Sequence, residues 1–532
     1  MISFAPAPSD AAVIRAAPCV APCGAAGRWI LAATVLASSM VFIDGTVVNV
    51  ALPALQHGLA ASLADVQWVV EAYALLLATL LLVGGAAGDR FGRRRVFSSG
   101  VLLFTAASVW CGLVGGVREL IVARAVQGIG GALLVPGSLA IISASFEERE
   151  RGKAIGTWSA ATAVTMALGP VLGGWLIDHA SWRAAFFINV PLAVAALVLT
   201  RRFVPESRNA QSQGVIDWQG ALLITVGLGA VVYALIESPA KGWAEPGILI
   251  PVVLGALALT GFIVVEMRHP APMVPLQLFR SRNFTGANLL TFLLYAALGG
   301  GLFFVPLNLI QVQHYSTAAA GAALLPLVVL LASLSRWAGG LIDRYGANVP
   351  LVLGPLIAAG GFGLFAVPEV ETSYWRTFFP AIVVLGLGLA ITVAPLTTTV
   401  MNSVSTAHAG AASGINNAAS RIAGLLAVAA FGVVMVTIFN RTLHDRLGAG
   451  GIAPAAIAAI EAQRNKLAAI EIPANMGSRD RVAAKRAVEQ AFVTGFRWIM
   501  LVSALLALAG AASAWFLIGN ASRSAGESAS VR

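Results

Sequence analysis

Apolar stretches of about 20 residues, long enough to cross a bilayer's hydrocarbon core as a helix, recur along this chain between short polar breaks. They predict fourteen spanning helices, at 29–52, 68–88, 97–115, 119–143, 154–177, 184–203, 217–236, 247–266, 284–311, 321–342, 348–367, 377–398, 414–438 and 495–518. The breaks alternate in charge. One set of short loops holds Arg90, Arg93, Arg94, Arg95, Arg149, Arg151, Lys153, Arg201, Arg202, Arg208, Arg268, Arg280, Arg282 and Arg344; the other holds only Arg118, Arg183, Lys241 and Arg376. By the positive-inside rule the first set is cytoplasmic, and an even number of spans puts both termini there too. The expected location is therefore the inner (plasma) membrane, as a multi-pass protein.

Composition agrees with this pattern. Of 532 residues 58% are hydrophobic and only 11% charged, against roughly a quarter charged in soluble domains. A net charge of +10 could suggest nucleic acid, but the basic residues lie between apolar spans and form no exposed stripe, so no nucleic-acid partner is expected. The Ala/Pro-rich residues 1–27 have no basic region leading into an isolated apolar segment, and are expected as a cytoplasmic disordered tail, not a signal peptide; 521–532 form a second cytoplasmic tail. Cys19 and Cys23 fall in the first tail and Cys111 in a span, which argues against a disulfide framework and leaves no reliable metal signature. The six histidines have no metal-ligand spacing, Gly152–Lys153 lacks the rest of a phosphate-binding loop, and there is no G-x-S-x-G elbow. An enzyme is poorly supported, and no metal or cofactor is expected.

Residues 84–95, GGAAGDRFGRRR, have a shorter counterpart at 339–348, GGLIDRYGAN. Each copy follows one span and precedes another, with Gly92 and Gly346 supplying the backbone freedom for the reversal. Aligning the copies puts six spans before residue 204 and six after 283. This predicts an all-α integral membrane fold: a six-helix bundle at 28–204, a linker and two-helix insertion at 205–283, and a second six-helix bundle at 284–520. Two halves related by an axis along the membrane normal are a transporter organisation. The second bundle carries a long outer loop, 440–494, with helical periodicity around AAIAAIEAQRNKLAAI.

GGAAGDRFGRRR resembles the signature loop between the second and third helices of the major facilitator superfamily. LIVARAVQGIGG (120–131) resembles that family's fourth-helix motif, and GTWSAATAVTMALGPVLGG (156–174) its antiporter motif, with Thr165 where glycine is usual. DGTVVNVALP (44–53) resembles the first-helix signature of the fourteen-helix drug:proton antiporter branch. The resemblance implies proton-coupled export of small hydrophobic or cationic compounds by alternating access, that is, multidrug efflux. Its partners would be substrate, protons and membrane lipids, the proton gradient being the energy source; a periplasmic adaptor is not required by the sequence. Two alternatives stay open: a dedicated exporter of a single metabolite, lipid or siderophore, and a non-transporting membrane sensor or scaffold.

Candidate residues follow from the cost of polarity inside a membrane. Asp44 and Glu71 are the carboxylates well inside spans of the first half and the proton-carrier candidates, Glu71 having the alternative of simple hydration near the outer interface. Arg124, Gln127, Gly128 and Gly131 share one helical face; such an arginine needs an acidic partner or a watery cavity, and a static ion pair would also suffice. Trp68, on the face of Glu71, Gln127, Gln311, Asn416, Asn417 and Arg421 are the cavity candidates, interhelical hydrogen bonding being the alternative for those of the thirteenth span. Thr165, Gly169 and Gly173 form a small-xxx-small stripe, Pro170 removes a helical hydrogen bond, and Gly174 completes the antiporter motif. Packing alone would explain the glycines. Gly85 and Gly88 are expected to allow close packing at the end of the second span. Asp89, paired with Arg93 or with a neighbouring helix end, is the expected conformational latch, with Arg90 and Gly92 in the same turn. Asp343 and Arg344 form a weaker second latch, because Ala347 and Asn348 stand where the first copy has Arg93 and Arg94.

Overall fold

The computed structural model describes residues 25–208, 217–269, 272–404, 409–449, 452–473 and 476–519. Within them are fourteen helices long and apolar enough to span a membrane: α1 Ala26–Gly58, α2 Leu63–Phe91, α3 Arg93–Leu113, α4 Val117–Ser145, α5 Glu150–His179, α6 Ala184–Phe203, α7 Trp218–Lys241, α8 Pro246–Arg268, α9 Arg282–Val312, α10 Thr317–Ser335, α11 Asn348–Phe365, α12 Phe378–Asn402, α13 Ala411–Ala449 and α14 Ser478–Leu517. No strand occurs among the described residues. The tail expected at 521–532 and Cys19 and Cys23 lie outside them. So does the tail at 1–27, except Ala25–Gly27, which already belong to the first helix.

Contacts between helices repeat with the sequence duplication. In the first half α4 packs on α2 and α3, and α1 on α5 and α6; in the second α12 packs on α10 and α11, and α9 on α13 and α14. The fold is two six-helix halves plus a two-helix insertion. Lipid provides no hydrophobic drive for helix association, so small residues set these crossings. A Cβ at Gly84 would run into the Ala132 carbonyl of α4, and one at Gly128 would meet the Tyr73 carbonyl of α2. Gly85, expected to be the close-packing residue, has Pro136 Cβ only at an ordinary 3.6 Å, and Gly88 has nothing nearer than 4.0 Å. The tight crossing thus falls one residue earlier, because the helical phase aims Gly84 at α4.

The insertion is not peripheral. α7 packs on α8, on α2 and on α13, so Leu228, Val232 and Ile236 join Leu75, Leu425 and Ala429 in one apolar cluster along the seam between the halves. Leu249, Ile250, Val253 and Leu257 of α8 stay exposed, as a lipid-facing helix requires.

The long loop expected on the outer side is shorter than its 440–494 limits imply. Residues 440–449 continue α13, and 478–494 begin α14, where Ala484, Ala487, Val488, Ala491 and Phe492 are buried. What remains is a short segment with a helix at Pro454–Glu461 and a tighter turn at Arg464–Ala469. That turn touches α1 and α2 of one half and α13 and α14 of the other.

Candidate functional site

Asp44 lies in the middle of α1 and is 1% exposed. Its Oδ2 pairs with Arg124 Nη1 from α4. Its Oδ1 accepts from Gln127 Nε2 at 2.8 Å and Asn189 Nδ2 at 3.5 Å. Arg124 also donates to Gln127 Oε1 at 2.7 Å and, through Nε, to the Val69 carbonyl of α2 at 3.1 Å. Its guanidinium carbon stands 4.1 Å from the centroid of the Tyr73 ring, a cation–π contact in a desolvated setting. Asn189 of α6 reaches Ser108 of α3 at 3.0 Å. One carboxylate is thereby tied to all six helices of the half except α5. Desolvating the two charges is costly, and only such complete pairing offsets it. The acidic partner that Arg124 requires is Asp44. Gln127, expected in the cavity wall, has no exposed surface and is spent on this network. Asn189, Ser108 and Tyr73 escaped the sequence reading; Asn189, an amide inside an apolar span, was the available signal.

Glu71, also 1% exposed, has a buried Oε2 with no hydrogen-bond partner. Simple hydration near the interface is therefore not its situation. Four residues earlier on the same face, Gln67 donates to the Val428 carbonyl of α13 at 2.7 Å, joining the halves. Trp68 does not flank Glu71 in a cavity. Its indole donates to Glu237 of α7 at 3.2 Å, and Glu237 pairs with Lys241 at 3.1 Å.

The second half divides its polar candidates. Asn416 donates to Thr291 Oγ1 at 2.6 Å and Asn288 Oδ1 at 3.3 Å of α9, so it is an interhelical tie and not a cavity residue. Asn417 and Arg421 are partly exposed, and Arg421 makes no hydrogen bond or ion pair among the described residues. Gln311 donates to Gln56 of α1 at 2.8 Å, again across the halves.

These cross-half ties lie toward the end opposite the arginine-rich loops. There, Asp178 at the end of α5 accepts the backbone N–H groups of Thr317 and Ala318, at 3.0 and 2.9 Å, where α10 begins. A Cβ at Gly174 would meet the backbone of Thr317 and Ala318, and one at Gly321 would strike the Pro170 carbonyl. Contact between α5 and α10 concentrates in residues 317–323 and thins out beyond 325. Gly169 and Gly173 instead face Thr46 and Val47 of α1, within one half, and the Thr165 hydroxyl turns back on its own helix, to the Thr162 carbonyl. The stripe therefore does two jobs, intra-half packing at Gly169 and Gly173 and inter-half contact at Pro170 and Gly174. All four described non-glycine residues with positive φ, Ala60, His314, Glu371 and Leu467, also lie at this end.

At the arginine-rich end, Gly92 alone separates α2 from α3, with φ +111°. Arg93, 4% exposed, donates to Asp89 Oδ1 through Nε at 2.9 Å and Nη2 at 2.8 Å. Glu206, in the segment whose polarity predicts a linker, accepts from the Arg94 backbone N–H at 3.0 Å, and the Ser207 carbonyl from that of Arg93 at 3.0 Å. Chain just past α6 thus clasps the turn. Arg90 is exposed beside Phe91. In the second copy Gly346 has φ +75°, while Asp343 and Arg344 are exposed and form no ion pair among the described residues. Among the described residues, no group of three or more His, Cys, Asp or Glu could hold a metal ion.

Duplicated six-helix halves, a buried ion pair inside one of them and polar ties between them gathered at one end define the architecture of a two-half membrane transporter. Residues 34–428 match the family model of the Major Facilitator Superfamily, and the chain belongs to that family. It is 34% identical over 494 residues to the tetracenomycin C resistance and export protein of Streptomyces glaucescens, covering 91% of this chain and 90% of that one. It is 35% identical over 423 residues to the multidrug resistance protein Stp of Mycobacterium tuberculosis, covering 78% and 77%. The fold is similar to that of a bacterial homologue of the human lysosomal transporter Spinster in an inward-facing, unoccupied conformation, with a TM-score of 0.65 at 19% identity over 92% of this chain and 98% of that one.

Proposed function

We propose that this protein is a proton-coupled exporter of hydrophobic or cationic compounds, working by alternating access. The observation that carries the reading is Asp44, a buried carboxylate whose ion pair with Arg124 draws on five helices of one half. Protonating it releases the guanidinium from its counter-charge, so one proton alters contacts that hold the half in shape. Coupling requires that the two access states differ in affinity for proton and substrate. Glu71, buried beside the seam without a partner, is the second proton site, and Asn417 and Arg421 face the substrate. The relatives' resistance and export names support the direction of transport. With the arginine-rich end in the cytoplasm, the ties at the opposite end close the outer side, and the conformation is inward-facing.

Everted vesicles test this with ethidium as the probe. Proton-gradient-driven uptake into the vesicles is expected for the unsubstituted protein and lost in Asp44→Asn and Glu71→Gln. Unchanged gradient dependence in either variant removes that residue from the coupling role. A panel adding neutral and anionic compounds separates broad export from a single-compound exporter.

A further inference from the structure

Among the described residues, a carboxyl and a guanidinium inside the membrane have neither a hydrogen bond nor an ion pair: Glu71 on α2 and Arg421 on α13. They come from opposite halves, on helices that pack against each other. The register is set at two points. Gln67 bonds the Val428 carbonyl at 2.7 Å, and Leu82 Cδ2 lies 3.3 Å from where a Cβ on Gly414 would stand. On α13, Gly414, Arg421 and Val428 recur every seven residues and so share the stripe that faces α2. Glu71 lies one turn beyond Gln67 on the matching stripe. Since the helices run antiparallel, the axial offset between Glu71 and Arg421 is under one turn, about 5.4 Å, a gap that an extended arginine covers. Leu75 and Leu425, one helical turn from Glu71 and Arg421 respectively, belong to the same apolar seam.

We propose that Arg421 is the counter-charge of ionised Glu71: when the halves change their alignment the guanidinium swings to the carboxylate, and the proton leaves for water in the space between the halves. The structure then holds the protonated form, since a carboxylate buried without a partner is prohibitively costly when charged. The proton passes from the Glu71 carboxyl to water; the guanidinium keeps its own protons. Among the described residues, the membrane-embedded charged side chains on the other helices packed against α2 are paired, and Arg421 stands within electrostatic range of Tyr73 on α2 itself. Asp44 and Arg124 pair with each other, Glu237 and Lys241 pair with each other on α7, and Cys111 on α3 lies against Gln127. Arg464 and Lys466 belong to the short segment over the start of α2, about two turns of helix, ~12 Å, from Glu71. Arg421 is thus a positioning residue for proton release, one from the half that does not carry the proton.

The inference rests on Glu71 being a proton carrier, and its test needs no substrate. In the full chain in lipid nanodiscs, infrared titration follows the carboxyl carbonyl band that disappears in Glu71→Gln. Removing the cation removes what stabilises the anion, so Arg421→Gln is expected to move the midpoint of that band up by about 1–3 pH units, and Arg421→Lys by less. Arg421→Met serves if the glutamine variant does not fold. An unmoved midpoint in a folded Arg421→Gln or Arg421→Met protein overturns the inference and leaves Glu71 a proton carrier. Absence of any band lost in Glu71→Gln overturns both.

Discussion

Asp178→Ala is expected to open the end that the structure shows closed. The carboxylate accepts two N–H bonds from the first turn of α10, at 3.0 and 2.9 Å, and these exist only while α5 and α10 meet. Hydrogen bonds to a charged group contribute about 1.5–3 kcal/mol each when sheltered. Asp178 is exposed, and water competes for it, so the pair together is worth about 1–2 kcal/mol after screening. That changes the ratio of the two access states by about 5–30-fold. The assay is the spin-label distance between Ala180→Cys and Ala319→Cys, in a chain with Cys19, Cys23 and Cys111 replaced by alanine. Asp178→Ala should enlarge the long-distance population. Gly321→Leu, which drives a side chain into the Pro170 carbonyl, should do so more strongly. Distance distributions unchanged in both variants would refute the view that this contact is a clasp between the halves.

Breaking the buried ion pair from one side should be worse than removing it. Arg124→Met strands Asp44 and should cost about 3–5 kcal/mol, whereas Asp44→Leu with Arg124→Met should be neutral or stabilising by up to about 4 kcal/mol; thermal unfolding in detergent, ordered single below double, is the check. At the α2–α4 crossing, Gly84→Val should abolish recovery of folded protein, because the Ala132 carbonyl occupies its Cβ position, while Gly85→Ala, with 3.6 Å to Pro136, should be recovered normally. Equal yields would show that the crossing is not set at Gly84.

Much of this was legible along the chain. Helix number, duplication and the two glycine reversals depend on local properties, apolar length and backbone freedom at one residue, and these act before any tertiary contact. The requirement that Arg124 find an acid was likewise legible, because charge inside a membrane is costly wherever it sits. Which groups satisfied such demands was not. Gln127 and Asn416 had the same polar-on-a-spanning-helix signature as Arg421, yet the first two are spent on Asp44 and on Thr291, while Arg421 makes no hydrogen bond or ion pair among the described residues. Glu206 looked like linker until the chain folded back over Gly92. Asp178 had no pattern to announce it, since its partners are backbone N–H groups, which every residue except proline carries. Periodicity tells a helix which face is costly to expose to lipid; only the packing of helices distant in sequence decides what that face meets.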